Sequence, residues 1–277
     1  MKIAAYQAPL LKHGSMDALE HVKRQISICE KNNVEILCCP EAVLGGLADD
    51  IDHPLDIALQ VNGQLETFLS PLKSDTVSLI IGFTESTPSG TLYNAAAVFH
   101  KGKVIGVYRK VYPAINKSVY APGDQLPTFV IGDLTFGIII CNDTNYLEPA
   151  RIIAAQGAAA LFIPTNNALL PHRINAMSKN LARNKHIARA VENGISVISA
   201  DVAGHSGNYT SYGCTNIIDA DGNVIASSKP LVEELLIADI EPQPHTYLRG
   251  WDTKRNPAVI QAFLKQYAPD THNVPKT

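Results

Sequence analysis

Glu41, Lys110 and Cys141 lie far apart in the chain but share one setting: each closes an apolar run, in "EILCCPE", "GVYRK" and "GIIIC". These runs read as strands, and in an open sheet the strand ends line a common crevice where ligands bind. A carboxylate, an ammonium and a thiol can therefore converge. A thiol is a weak nucleophile until it loses its proton. Glu41 can take that proton as general base and later return it to a leaving amine. Lys110 can hold a developing oxyanion and balance the carboxylate charge. The backbone N–H of Asn142, just past the thiol, can be the second oxyanion donor. Such a set suits cleavage of an amide-type C–N bond through a covalent thioester.

Each residue also has a structural reading. Cys141 can be core filling, because free cysteine is among the most buried residue types. Glu41 can be a loop carboxylate near a helix start, and Lys110 a solvated surface lysine. The shared strand-end placement is what favours the chemical reading. Cys29, Cys38, Cys39 and Cys214 read as structural.

The elements that must position these residues alternate short apolar runs with longer amphipathic ones. Strands are predicted at 2–7, 34–40, 78–83, 94–99, 159–164 and 196–201, with further strands at "TFGIIIC" and "ELLIADI". Residues 16–32 have Leu19, Val22, Ile26 and Cys29 at helical spacing. Helices are also predicted at 146–156 and at 173–193, the latter stopped by Asn193-Gly194. Hairpins are predicted at Lys101-Gly102-Lys103 and at Asp221-Gly222. Continuous apolar runs imply strands covered on both faces, and the interspersed hairpins make the sheet mixed. The tail from about residue 245 is polar, with one candidate helix in "NPAVIQAFLKQY". It packs on the surface or reaches a partner subunit. The segments 44–55, 112–121, 144–147 and 165–173 are expected to shape the pocket.

The chain has 277 residues, 46% of them hydrophobic and 18% charged, with a net charge of −3. That balance lacks the basic footprint of a nucleic-acid binder. No stretch of about 18 apolar residues suggests a membrane span. The run in "MKIAAYQAPL" is too short for a signal peptide. Five cysteines without a C-x-x-C point to a reducing, cytoplasmic setting with free thiols. The phosphate-cradling loops, H-E-x-x-H and G-x-S-x-G are all absent.

"CCPEAVLGG", "YRKVYP" and "CNDTNYLEPAR" together resemble the nitrilase, or carbon–nitrogen hydrolase, superfamily. They match its glutamate, lysine and cysteine segments in order, and the resemblance extends over most of residues 1 to 240. It implies a single α/β domain over residues 1–277 built as a four-layer α-β-β-α sandwich. It also implies a Glu41-Lys110-Cys141 triad, no metal or organic cofactor, and a homo-oligomer, a dimer or higher. The expected activity is hydrolysis of a non-peptide C–N bond in a small linear amide. Carbamoyl-amide (ureido) hydrolysis and a non-catalytic binding protein on the same fold are the alternatives.

The chain departs from the family pattern at several places. Tyr112 stands where a histidine is common, and Thr144-Asn145-Tyr146 replaces an arginine–aromatic pair. Cys141-Asn142-Asp143 replaces the C-W-E of true nitrilases, which looks closer to the amidase branches. Asn116 takes the place of a second glutamate. Asn116, Tyr112, Asp143 and Asn145 are therefore the candidates for contacting substrate or supporting the triad.

Overall fold

Side chains alternate between the two faces of a strand, and here both faces are apolar. The computed structural model describes residues 1–115, 117–171 and 179–243, with Ala258 and Gln261. The chain divides into two units, Met1–His245 and Thr246–Thr277, and the fold is that of the first. The predicted tail helix lies outside the described residues apart from Ala258 and Gln261.

Two sheets form. The first contains β1 (Lys2–Pro9), β2 (Ile36–Cys38), β3 (Ser78–Ser86), β4 (Leu92–His100), β5 (Lys103–Arg109), β10 (Val202–Ser206) and β11 (Tyr209–Ser211). Their order is β11-β10-β1-β2-β3-β4-β5, and β14 (Glu234–Asp239) runs antiparallel to β1. The second contains β6 (Thr128–Ile131), β7 (Leu134–Ile138), β8 (Ala160–Pro164), β9 (Ser196–Ala200), β12 (Asn216–Ile218) and β13 (Val224–Ser227), in the order β13-β12-β9-β8-β7-β6.

The alternation sorts the core into layers. Ile3, Ala5, Ile36, Ile80 and Tyr108 of the first sheet meet Phe136, Ile138, Phe162 and Ile198 of the second. The opposite face of the first sheet, with Ala4, Tyr6, Leu37 and Phe83, packs on Val22, Ile26 and Cys29 of α1 (Ala18–Lys31) and on Leu65 and Leu69 of the short α2 (Gln64–Leu69). The opposite face of the second, with Leu161, Ile163 and Val197, packs on Ile153 of α3 (Glu148–Ala155) and Ala190 of α4 (Lys179–Asn193). The result is the α-β-β-α sandwich. Burying each large apolar side chain between layers contributes roughly 1.5–3 kcal/mol. Among the described residues, no helix is long and apolar enough to cross a membrane.

Several boundaries shift from expectation. α1 stops at Lys31 because Asn33 adopts φ +56, a left-handed conformation that asparagine tolerates. The predicted helix at 146–156 is shortened to Glu148–Ala155, with Pro149 in its first turn. For α4, described helix begins at Lys179, and residues 172–178 lie outside the described residues. β6, β10 and β11 carried no clear sequence signal: β6 is a half-exposed edge, and "VAGHSGNYTS" is too polar and glycine-rich to read as two strands.

Candidate active site

Glu41 stands three residues past β2, on a turn that crosses over β3. Gly82 of β3 makes that crossing possible, since a methyl group there would stand 2.4 Å from both Ala42 N and Pro40 O. The turn leaves Glu41 only 1% exposed. Its Oε1 accepts from Lys110 Nζ at 2.5 Å and Asn94 Nδ2 at 2.8 Å. Its Oε2 accepts from the Asn166 backbone N–H at 2.9 Å.

Lys110 follows β5 directly. Its N–H donates to Asn94 O at 2.8 Å, and its carbonyl accepts from Gly123 N at 2.8 Å. Gly123 must be glycine, because a side chain would meet Arg109 O at 2.3 Å. The Lys110 side chain is 3% exposed. Burial alone would lower its pKa, but the charge of Glu41, with that of Asp143 behind it, outweighs burial and holds the ammonium above its ordinary range.

Cys141 is not the last residue of a strand. β7 ends at Ile138, and Cys141 opens a five-residue 3-10 turn, Cys141–Asn145. Its φ of +42 is uncommon for a residue with a side chain. Such strain persists only where the surroundings fix it, and Asp143 does the fixing. Asp143 Oδ2 accepts from Tyr108 OH at 2.6 Å and Ile140 N at 2.8 Å, while Oδ1 accepts from Tyr112 N at 2.9 Å. One buried carboxylate thus ties the thiol's turn to β5, the strand that leads into Lys110. Burial pushes the Asp143 carboxyl up to about 6, against the pull of Lys110. The Cys141 thiol is also pushed up, first by burial and then by the Glu41 charge, with Lys110 opposing.

The crevice differs from the one expected. Glu41 and Lys110 follow strands of the first sheet and Cys141 follows β7 of the second, so the site opens between two sheets rather than along the edge of one. A pocket of about 610 Å³ has Glu41, Lys110, Cys141, Asn142 and Asn145 in its wall. Asn142 occupies the first turn of its helix, where N–H groups have no partner within the helix. Its side chain donates to Tyr112 O at 3.1 Å and accepts from Asn145 Nδ2 at 2.6 Å.

Tyr112 and Asp143 do not line the pocket. Tyr112 acts through its N–H, and its ring stacks on Tyr146 at 3.6 Å. Asn116 lies outside the described residues. All four segments expected to shape the pocket contribute to its wall, including Asp49, Pro113, Thr144 and Asn166.

The sequence reading missed Asn94 and Asp201, and did not single out Asn166 or Asn167 within the segment 165–173 that it expected at the pocket. Asp201 is fully buried and grips Asn167 through its N–H at 3.0 Å and its Nδ2 at 2.8 Å. That grip presents the neighbouring Asn166 N–H to Glu41. Burial pushes Asp201 up to about 6, opposed by its bonds to Asn167 and Val202. A polar residue in or just after an apolar run, as in "YNAAAVF" and "SVISAD", was the available signal. Among the described residues, no group of three or more His, Cys, Asp or Glu is placed to hold a metal ion.

The carbon-nitrogen hydrolase family model matches residues 2–246. The chain belongs to the carbon–nitrogen hydrolase family. Carbon–nitrogen hydrolases act on C–N bonds other than peptide bonds. The chain is 27% identical over 223 residues to a nitrilase of Pyrococcus abyssi, covering 79% of this chain and 81% of that one. It is 25% identical over 246 residues to a glutamine-dependent NAD(+) synthetase of Thermotoga maritima. That match takes in 86% of this chain but only 42% of the synthetase. The carbon–nitrogen hydrolase fold also superposes on a Nesterenkonia amidase variant with a TM-score of 0.71, at 20% identity, over 95% of this chain and 100% of the other. In that amidase, acrylamide has added to the active-site cysteine.

Proposed function

We propose that the chain hydrolyses small linear amides through a thioester on Cys141. The observation that carries this reading is the buried Glu41–Lys110 ion pair in the wall of the same pocket as Cys141, near enough for both charges to act on the thiol. Two charges are desolvated at considerable cost, beside a thiol whose raised pKa keeps it protonated at rest. A protonated thiol needs a base at the moment of attack, and Glu41 is that base.

In the first half-reaction Glu41 takes the Sγ proton as sulfur attacks the carbonyl carbon. The C–S bond forms and the carbonyl electron pair moves onto oxygen. Lys110 Nζ and the Asn142 N–H hold that oxyanion. As the intermediate collapses the C–N bond breaks, and Glu41 returns the proton to the departing nitrogen, which leaves as ammonia or an amine. In the second half-reaction Glu41 takes a proton from water. The hydroxide adds to the thioester, the C–S bond breaks and Sγ recovers the proton. The acrylamide adduct of the Nesterenkonia amidase supports a nucleophilic cysteine in this fold.

Ammonia release from a panel of short aliphatic amides tests the reading, with Cys141→Ala as control. Release by the wild-type protein and none by the variant is expected. Equal release by both, or none by the wild type, contradicts it.

A further inference from the structure

One wall of the pocket comes from α4, which contributes Ala182, Lys185 and His186. We infer that this wall is a carboxylate subsite: Lys185 and His186 receive an anionic group at the far end of the acyl chain. The preferred substrates are then short linear amides that end in a carboxylate. This rests on the amidase reading above and narrows it.

An ammonium has three donors. Lys185 gives one to Asn145 Oδ1. Among the described residues, no carboxylate pairs with it. His186 beside it is 2% exposed, and its Nδ1 is buried without a hydrogen-bond partner. Buried polar atoms are almost always satisfied, so an unsatisfied imidazole in a pocket wall points to a ligand. Burial first, then the Lys185 and Arg189 charges, pull His186 down to about 4, so its ring is neutral and offers one N–H. Arg189, one residue short of a full turn further on, is already engaged by Thr144 O and Glu192. The cation and the neutral donor are therefore adjacent; Lys185 is held by Asn145 with no carboxylate partner among the described residues, and His186 Nδ1 has no hydrogen-bond partner.

The distance suits a short chain. Asn145, which holds Lys185, ends the turn that Cys141 opens, and a 3-10 turn rises about 2 Å per residue, or roughly 8 Å over that stretch. The rest of the pocket directs an anion the same way. Asp49 and Asp50 line the pocket too. Asp49 accepts from Ser118 Oγ and Val119 N, and Asp50 from Tyr209 OH. A substrate carboxylate is repelled there and attracted at α4.

The test compares glutaramate, the monoamide of glutaric acid, with uncharged pentanamide and cationic 5-aminopentanamide. The wild-type kcat/KM for glutaramate should exceed that for pentanamide by about tenfold to a hundredfold, the order of one charge-assisted hydrogen bond. Lys185→Met should bring the ratio towards one. His186→Gln, which keeps an N–H, should retain more of the ratio than His186→Leu. Equal wild-type rates, a preference for 5-aminopentanamide, or a ratio unmoved by Lys185→Met overturns the subsite and leaves the amidase reading standing. Calorimetric binding of glutarate and pentanoate to the Cys141→Ala protein reads the subsite without turnover. Tighter glutarate binding, lost in the Lys185→Met background, supports it, and equal binding overturns it. Failure of every amide to release ammonia removes the amidase reading instead.

Discussion

Lys110 Nζ donates to Glu41 Oε1 at 2.5 Å, and the two side chains are only 3% and 2% exposed. In water such a pair contributes little. Here removing one partner strands the other charge inside the protein, which typically costs about 3–5 kcal/mol. Glu41→Gln should therefore lose stability by about that amount and turnover by roughly 10²–10⁴-fold. The double variant Glu41→Gln/Lys110→Met should recover much of the stability and none of the activity. Urea unfolding and ammonia release check the two effects separately. A stable, active Glu41→Gln protein would remove Glu41 from the mechanism.

Gly82 is predicted to matter through Glu41. A methyl group at 2.4 Å from Ala42 N and Pro40 O forces the turn that carries Glu41 to move. Gly82→Ala should cost about 1–3 kcal/mol, the usual range for overpacking, and should lower kcat far more than it raises KM. Wild-type kcat in a folded Gly82→Ala protein would show that the crossing does not set the position of Glu41.

The two raised carboxyls predict a pH dependence. Asp143 and Asp201 move from 3.8 to about 6 by burial. Between these values the folded chain holds protons that the unfolded chain has released. Their stabilising contribution is fully present below the window and is lost as pH rises through it. Asp201→Asn removes one such group. The wild-type unfolding free energy minus that of the variant should thus decline from about pH 4 to about pH 7. Urea unfolding across this range measures it, and a constant difference contradicts the assignment.

Asn94 gives Glu41 Oε1 its second donor at 2.8 Å. Asn94→Ala should slow acylation by about tenfold, the order of one hydrogen bond to a charged group, while substrate binding changes little. Rapid-mixing mass spectrometry reports acylation directly. An unchanged rate would leave Asn94 with a structural role only.

The strands and the segments bearing Glu41, Lys110 and Cys141 were legible because their signals are local. Apolar runs such as "GIIIC" and turn pairs such as Asp221-Gly222 identify elements within a few residues. The partners of Glu41 and Lys110 were not legible, because they are set by pairing and docking. Asn94 reaches Glu41 because β4 lies beside β5, where Asn94 O receives the Lys110 N–H. Asn166 reaches it because Asp201, past the end of β9, grips Asn167. Lys185 and His186 face the pocket through the docking of α4, and helical spacing alone does not say which neighbour a face meets. The strand-end idea brought Glu41, Lys110 and Cys141 to one pocket, as the structure has them. It could not show that the thiol comes from the opposite sheet, on a strained turn held by Asp143.

The most direct test of the proposed chemistry is the mass of the protein during turnover. Wild-type protein is mixed with a short amide, quenched in acid within its first turnovers, and digested for peptide mapping. The predicted result is an added acyl group on the peptide bearing Cys141, which decays as ammonia and carboxylic acid appear and is absent from Cys141→Ala. An adduct on Cys29, Cys38, Cys39 or Cys214, with Cys141 unmodified while ammonia is released, would contradict it.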